Sequence, residues 1–208
     1  MHRTIPTVLL PLLCLALCSS LRAQTPEISV RAYAVLSAFL RIQLEGQDPA
    51  VNFRVGPKGS VIAAFTDASL KHVATKEGER LKSKLTGLTF ETLESFERCT
   101  DERMAINKKF DLPVAYQIAP PDEAKDILEM NRKEVDAFYE HHRDAMGIIQ
   151  FSCIGLNPTG TQALFFVERV GHYSKGAWIL MEMNKSGNWV LRGKLVKWMS
   201  RNYARSLR

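Results

Sequence analysis

Between Thr161 and Val170 the chain is apolar at nearly every position, with Ala163, Phe165 and Val167 on one face of an extended segment and Leu164 and Phe166 on the other. A strand that faces water on one side alternates apolar with polar residues. One that is apolar on both sides has to be covered on both, and so belongs in the middle of a sheet. Its neighbours follow from turn chemistry. Ile148–Leu156 is apolar and β-branched and ends in Asn157-Pro158-Thr159-Gly160, where proline pre-sets φ and glycine accepts the closing geometry. A looser connection, Gly171 to Gly176, leads into Ala177–Met183, and Asn184-Lys185-Ser186-Gly187-Asn188 turns the chain into Trp189–Met199. Gly193 marks a bulge or bend, because the apolar phase shifts there from Trp189 and Leu191 to Val196 and Trp198. The last third, Ile148 to Met199, therefore predicts a four-strand antiparallel meander.

A curved sheet of this size needs an element on its concave face. The spacing predicts a long helix from Pro120-Pro121-Asp122 to about Met146, ended by Gly147, with Ala124, Ile127, Leu128, Val135, Phe138, Tyr139 and His142 on its stripe. An earlier helix starts at Thr25-Pro26-Glu27, with threonine as cap and proline at the first position, and runs to about Glu45. Its stripe is Ile28, Ala32, Val35, Leu36, Phe39 and Leu40. Val51–Val55 and Ser60–Phe65 read as a hairpin around Gly56-Pro57-Lys58-Gly59. Thr66 to Phe110 is polar and poorly periodic, with Thr89 to Phe96 its best amphipathic piece. The fold class is α+β, an N-terminal helix and a long central helix packed on a curved antiparallel sheet. No repeat or linker divides residues 24–208, which form one domain with a basic C-terminal end.

Residues 1–23 stand outside that domain. A short basic start, an apolar run Val8–Cys18 broken only by Pro11, and small residues at Ser19, Ser20 and Ala23 predict a secretory signal peptide cleaved after Ala23 or Ser20. The run is too short to span a bilayer. A lipoprotein signal ending at Cys18 is the rival, and the bulky Leu17 before that cysteine argues against it. The expected location is periplasmic or secreted, with no transmembrane segment once the signal is removed. Removal takes Arg3 and Arg22 and no acidic residue, so the formal charge falls from +6 to +4. The surplus is concentrated: after Glu182 there is no acid, while Lys185, Arg192, Lys194, Lys197, Arg201, Arg205 and Arg208 follow. Such an end suits an anionic envelope component, but fits better a solvated strand edge whose lysines discourage pairing. Nucleic acid is not the expected partner.

The search for chemistry returns little. There is no G-x-S-x-G elbow, Walker loop, dinucleotide fingerprint, H-E-x-x-H or C-x-x-C. No cofactor and no metal are expected. Tyr139-Glu140-His141-His142-Arg143-Asp144 is the one dense titratable cluster, but adjacent histidines on a helix point about 100° apart and do not share a metal ion readily. Cys99 and Cys153 remain after the signal, and whether they are joined is open. Trp178, Trp189 and Trp198 sit on strands, where aromatic residues belong first to a core; Trp198, among Lys194, Lys197 and Arg201, is the best placed for contact with a ligand. The binding candidates are Tyr139, His142, His172, Trp198, Arg201 and Arg205.

A resemblance rests on Phe138-Tyr139, Gly147-Ile148-Ile149, Phe151-Ser152, Gly155-Leu156-Asn157, Gly160-Thr161-Gln162-Ala163-Leu164, Trp178-Ile179-Leu180-Met181-Glu182, Gly187-Asn188-Trp189-Val190 and Trp198-Met199-Ser200. These segments resemble a group of uncharacterised exported bacterial proteins, which implies export and this fold but carries no activity. Cys153 departs from the group, where that place holds a basic or polar residue. In architecture alone, a helix followed by a curved antiparallel meander is similar to cystatin-like and nuclear-transport-factor-like folds. The expected function is a non-catalytic exported protein binding a ligand or envelope partner through the sheet or the basic end. The alternative is a small hydrolase or isomerase with a pocket between the long helix and the sheet, with Tyr139, His142 or His172 on its wall.

Overall fold

The structure is a computed structural model that describes residues 28–44, 60–66, 78–99, 106–118, 132–141, 145–170 and 173–201. The signal segment, the helix start at Thr25-Pro26-Glu27, the strand Val51–Val55 and the first part of the long central helix lie outside these residues. In chain order the elements are α1 (Val30–Leu44), β1 (Ser60–Thr66), α2 (Gly78–Lys84), α3 (Phe90–Glu97), β2 (Tyr116–Ile118), α4 (Arg132–His141), β3 (Ala145–Phe151), β4 (Gly155–Leu156), β5 (Gln162–Val170), β6 (Tyr173–Met183) and β7 (Trp189–Arg201). The fold is α+β. One sheet runs β2-β1-β3-β5-β6-β7, and β4 pairs with β5 beyond the end of β3.

The meander β3-β5-β6-β7 is antiparallel throughout. β5 is its interior strand, and its two faces divide as the side-chain period requires. Phe165 and Val167 point into a cluster with α1, while Leu164 and Phe166 point into a second cluster with α2 and α3. β6 alternates in step: Ile179 and Met181 face α1, Trp178 and Leu180 face α2 and α3. The sheet therefore lies between two helical layers. α1, the expected N-terminal helix, packs on one face, and α2 with α3 cover the other, where no helix was expected. Of the central helix the described part is α4, and it stops earlier than its pattern suggests. Ala145, Met146 and Gly147 are already strand, with Gly147 at a register shift between Ser60–Ala145 and Ile62–Ile148 rather than at a helix end. β1 is likewise no hairpin edge over Val61–Ala63, because it has parallel neighbours on both sides, β2 and β3.

Local chemistry explains the boundaries. α1 is capped by Ser29, whose Oγ accepts the Ala32 amide at 3.2 Å. A serine hydroxyl caps as well as the earlier threonine, so Ile28 and Ser29 are not helical although Ile28 joins the core. The α1 stripe is buried as its spacing predicts, and Phe39 sets its edge against Phe165 and Phe151 at 5.3 and 6.3 Å between ring centroids. On the outer side of α1, Tyr33, Ser37 and Arg41, one turn apart, hold the segment 106–114 along the helix. The Tyr33 hydroxyl accepts the Asn107 amide, Ser37 Oγ accepts the Asp111 amide, and Arg41 donates to the Asp111 carbonyl and carboxylate.

α3 starts where Thr89 Oγ1 accepts the Thr92 amide, and its cap is tied to the sheet by one side chain. Gln162 Oε1 accepts from the Thr89 amide at 2.9 Å and the Thr92 hydroxyl at 2.8 Å, while its Nε2 donates to the Gly87 carbonyl at 2.9 Å. Gln162→Ala is expected to cost about 2 kcal/mol in urea unfolding, because it strands a backbone amide and a carbonyl at the helix–sheet junction. A loss below about 0.5 kcal/mol would mean that water replaces all three bonds.

The turns behave as read. Gly160 (φ +69) and Gly187 (φ +80) occupy the left-handed region, and Asn157 Oδ1 and Asn184 Oδ1 each accept two amides of the turn they begin. The bulge expected at Gly193 is present. The β6–β7 register shifts between Leu180–Gly193 and Met181–Leu191, so Arg192 is the extra residue. The extra residue turns Gly193 towards Leu85 of the α2 side and brings Lys194 to the α1 side. The expected single strand over Ile148–Leu156 is instead divided at Ser152–Ile154, and the looser connection before Ala177 is strand from Tyr173 onward.

Candidate functional site

At its C-terminal end α1 leaves the meander incompletely covered. Phe39 and Gln43, one turn apart, close a cavity of about 20 Å³ over β3, β5, β6 and β7. Its floor is apolar: Ile149, Val167, Ala177 and Ile179. Around it stand Arg169, Lys175 and Lys194, and no carboxylate lines it among the described residues. The strand register explains the crowding. Arg169 pairs directly with Lys175 across β5 and β6, and Ile149 pairs with Arg169 on the other side, so the three side chains form one rung of the sheet. Lys194 joins them because the Arg192 bulge brings it to this face. Like charges directly opposite on one face repel.

Gln43 is the second unusual group. It is 3% exposed, and its amide Nε2 has no hydrogen-bond partner among the described residues. A buried amide donor left without an acceptor costs about 1–3 kcal/mol. Burial pushes the Arg169 guanidinium below its ordinary pKa, opposed by the charge of the nearby Tyr139. The exposed lining of the cavity is almost wholly apolar, with room for one water-sized group.

Of the residues singled out in the sequence, Tyr139 is half-buried on α4 and interacts electrostatically with Arg169, but it is not on the cavity wall. Trp198 and Arg201 lie in β7, opposite Gly176 and Tyr173. His142, His172 and Arg205 lie outside the described residues. His141 is exposed, with its Nδ1 2.9 Å from the Ala137 carbonyl of its own helix. Among the described residues no group of three or more His, Cys, Asp or Glu side chains is placed to hold a metal. Cys99 and Cys153 both belong to the α2–α3 side of the core and are not joined to each other. Trp178 is fully buried core.

Gln43, Arg169 and Lys175 escaped the sequence reading, though a signal for the first was present. Position 43 continues the α1 stripe one turn beyond Phe39, and a glutamine there is a polar residue at an apolar position. The cations gave no such signal, since Lys175 fell in a segment that did not read as strand.

A second concavity, a groove of about 910 Å³, runs between the outer face of α1 and the β6–β7 turn. Val30 and Val190 are exposed beside the Arg41–Asp111 ion pair in its lining. Among the described residues no helix is long and apolar enough to cross a membrane. No known protein family, curated protein or solved structure matches the chain.

Proposed function

We propose that the chain is an exported, non-catalytic binding protein of the cell envelope, periplasmic or secreted, that takes its ligand at the cationic seam between α1 and the sheet. The observation that carries this reading is the Gln43 amide, buried and lacking an acceptor, at a cavity surrounded by three cations. A buried donor without an acceptor among the described residues weakens the fold. Local arrangements of that kind persist where function uses them. Export is supported by the signal-like segment 1–23, and the acid-free run after Glu182 offers a second contact for an anionic envelope partner.

The protein recovered from its own cells without denaturation is expected in the periplasmic or medium fraction, beginning near Gln24. Native mass spectrometry is expected to show a small-molecule excess over the sequence mass. Lys194→Glu, which inverts one charge at the seam, is expected to remove that excess. Recovery from the cell interior with residues 1–23 attached overturns export. A native mass equal to the sequence mass overturns binding, as does an excess unaffected by Lys194→Glu.

A further inference from the structure

We infer that Cys99 and Cys153, unjoined in this structure, form a disulfide under oxidising conditions and so tie the C-terminal end of α3 to the segment between β3 and β4. The inference goes beyond the binding function proposed above and uses none of its residues.

The register of helix against sheet carries it. α3 begins beside the start of β5, where Gln162 bonds Thr89 and Thr92. Further along, Ser95 Oγ accepts the Leu156 amide at 3.1 Å, and a Cβ on Gly155 would lie 2.4 Å from the Phe96 nitrogen. As the helix advances from Ser95 to Phe96, the chain beneath it steps back from Leu156 to Gly155, so the two run antiparallel. Cys99 follows Phe96 by one turn, its amide bonded to the Phe96 carbonyl at 3.1 Å. That turn is a rise of about 5 Å. Cys153 precedes Gly155 by two residues, at most about 7 Å of chain in the same direction. The two cysteines therefore stand at one level. They also face one core: Cys153 is buried in the cluster of Phe96, Phe166 and Trp178, and Cys99 packs on the rim of that cluster. A disulfide needs Cα atoms about 4.4–6.8 Å apart, a spacing reached only where backbones nearly touch, as they do at Phe96 and Gly155.

Exposure sets the order of reaction, since Cys99 is half-buried and Cys153 is buried. Cys99 Sγ, as thiolate, attacks one sulfur of a low-molecular-weight disulfide, whose S–S bond breaks and releases one thiol. Cys153 Sγ then attacks Cys99 Sγ in the mixed disulfide and releases the second thiol. The two cysteines lose two electrons and two protons, and the reagent gains them. The extracytoplasmic location proposed above favours that direction.

The test treats the purified protein with oxidised glutathione, blocks the remaining thiols under denaturing conditions and maps them by mass spectrometry. A nonreduced digest is expected to yield one peptide pair joined through Cys99 and Cys153. The oxidised protein is expected to melt about 5–10 °C above the same sample in dithiothreitol, because the bond closes a long loop. Cys99→Ser, at a half-buried position on the rim, is expected to fold as the parent does and to melt alike in both conditions. Thiols at both positions still open to alkylation after oxidation overturn the inference, as does glutathione retained on Cys99 or a link between two chains. A melting difference that survives in Cys99→Ser overturns it as well.

Discussion

Gly155→Ala is expected to lower the stability of the protein by about 3 kcal/mol, a fall of roughly 6–12 °C in melting temperature. A methyl group built on Gly155 would lie 2.4 Å from the Phe96 amide nitrogen and 2.5 Å from its Cα and Cβ. These are atoms of the helix itself, so no rotamer change relieves the overlap; α3 would have to withdraw from β4. Withdrawal is resisted on both sides of the contact. Phe96 is fully buried against Trp178, Ser95 Oγ accepts the Leu156 amide at 3.1 Å, and Gln162 fixes the start of the same helix. The close approach also accounts for the division of β3 from β4, since the segment leaving β3 passes directly beneath a helix backbone. Urea unfolding reads the effect as a lower midpoint with an unchanged slope. A melting temperature within about 1 °C of the parent would show that the helix is held far less firmly than these contacts require.

The second large effect is expected at Trp178. Its side chain is fully buried on the α2–α3 face of β6, edge-on to Phe96 with ring centroids 5.5 Å apart and tilted against Phe166 at 4.7 Å. Trp178→Ala removes the largest buried side chain of that cluster and leaves a hole in the core it shares with Leu81, Leu85 and Leu164, which come from α2 with its C-terminal end and from β5. Elements tied at their ends do not collapse readily, so the cost is expected near 4 kcal/mol, towards the upper part of the large-to-small range. Trp178→Phe keeps most of the volume and the aromatic contact and is expected to recover at least half of that loss. A cost under about 1.5 kcal/mol for the alanine variant would mean that α2 and α3 settle into the space.

The meander was legible because its information is local. β5 carries its two-sided burial in consecutive residues, the two asparagine–glycine turns name their own geometry, and the Gly193 bulge shows as a change of apolar phase. The stripe of α1 was equally plain, although Ser29 displaced its expected start. What could not be read was pairing at long range. Nothing near Ser60 announces that β1 will lie parallel to both β2 and β3. The short α2 and α3 contribute one to three buried residues each, too few for a periodic signal, yet they cover the second face of β5 and β6. The seam escaped for a related reason. Gln43, Arg169, Lys175 and Lys194 come from three stretches of chain, and only the register of β5 with β6 and the bulge in β7 bring them together.

The layer formed by α1 bears on how the molecule is made. Among the described residues, and apart from the helix and its own N-terminal flank, every buried partner of the α1 stripe lies at Ile106 or beyond, most of them after Ile149. A ribosome delivers that helix first and its cover last. For most of synthesis Val35, Leu36, Phe39 and Leu40 therefore lack these partners, a window in which holding factors bind and nascent chains adhere to one another.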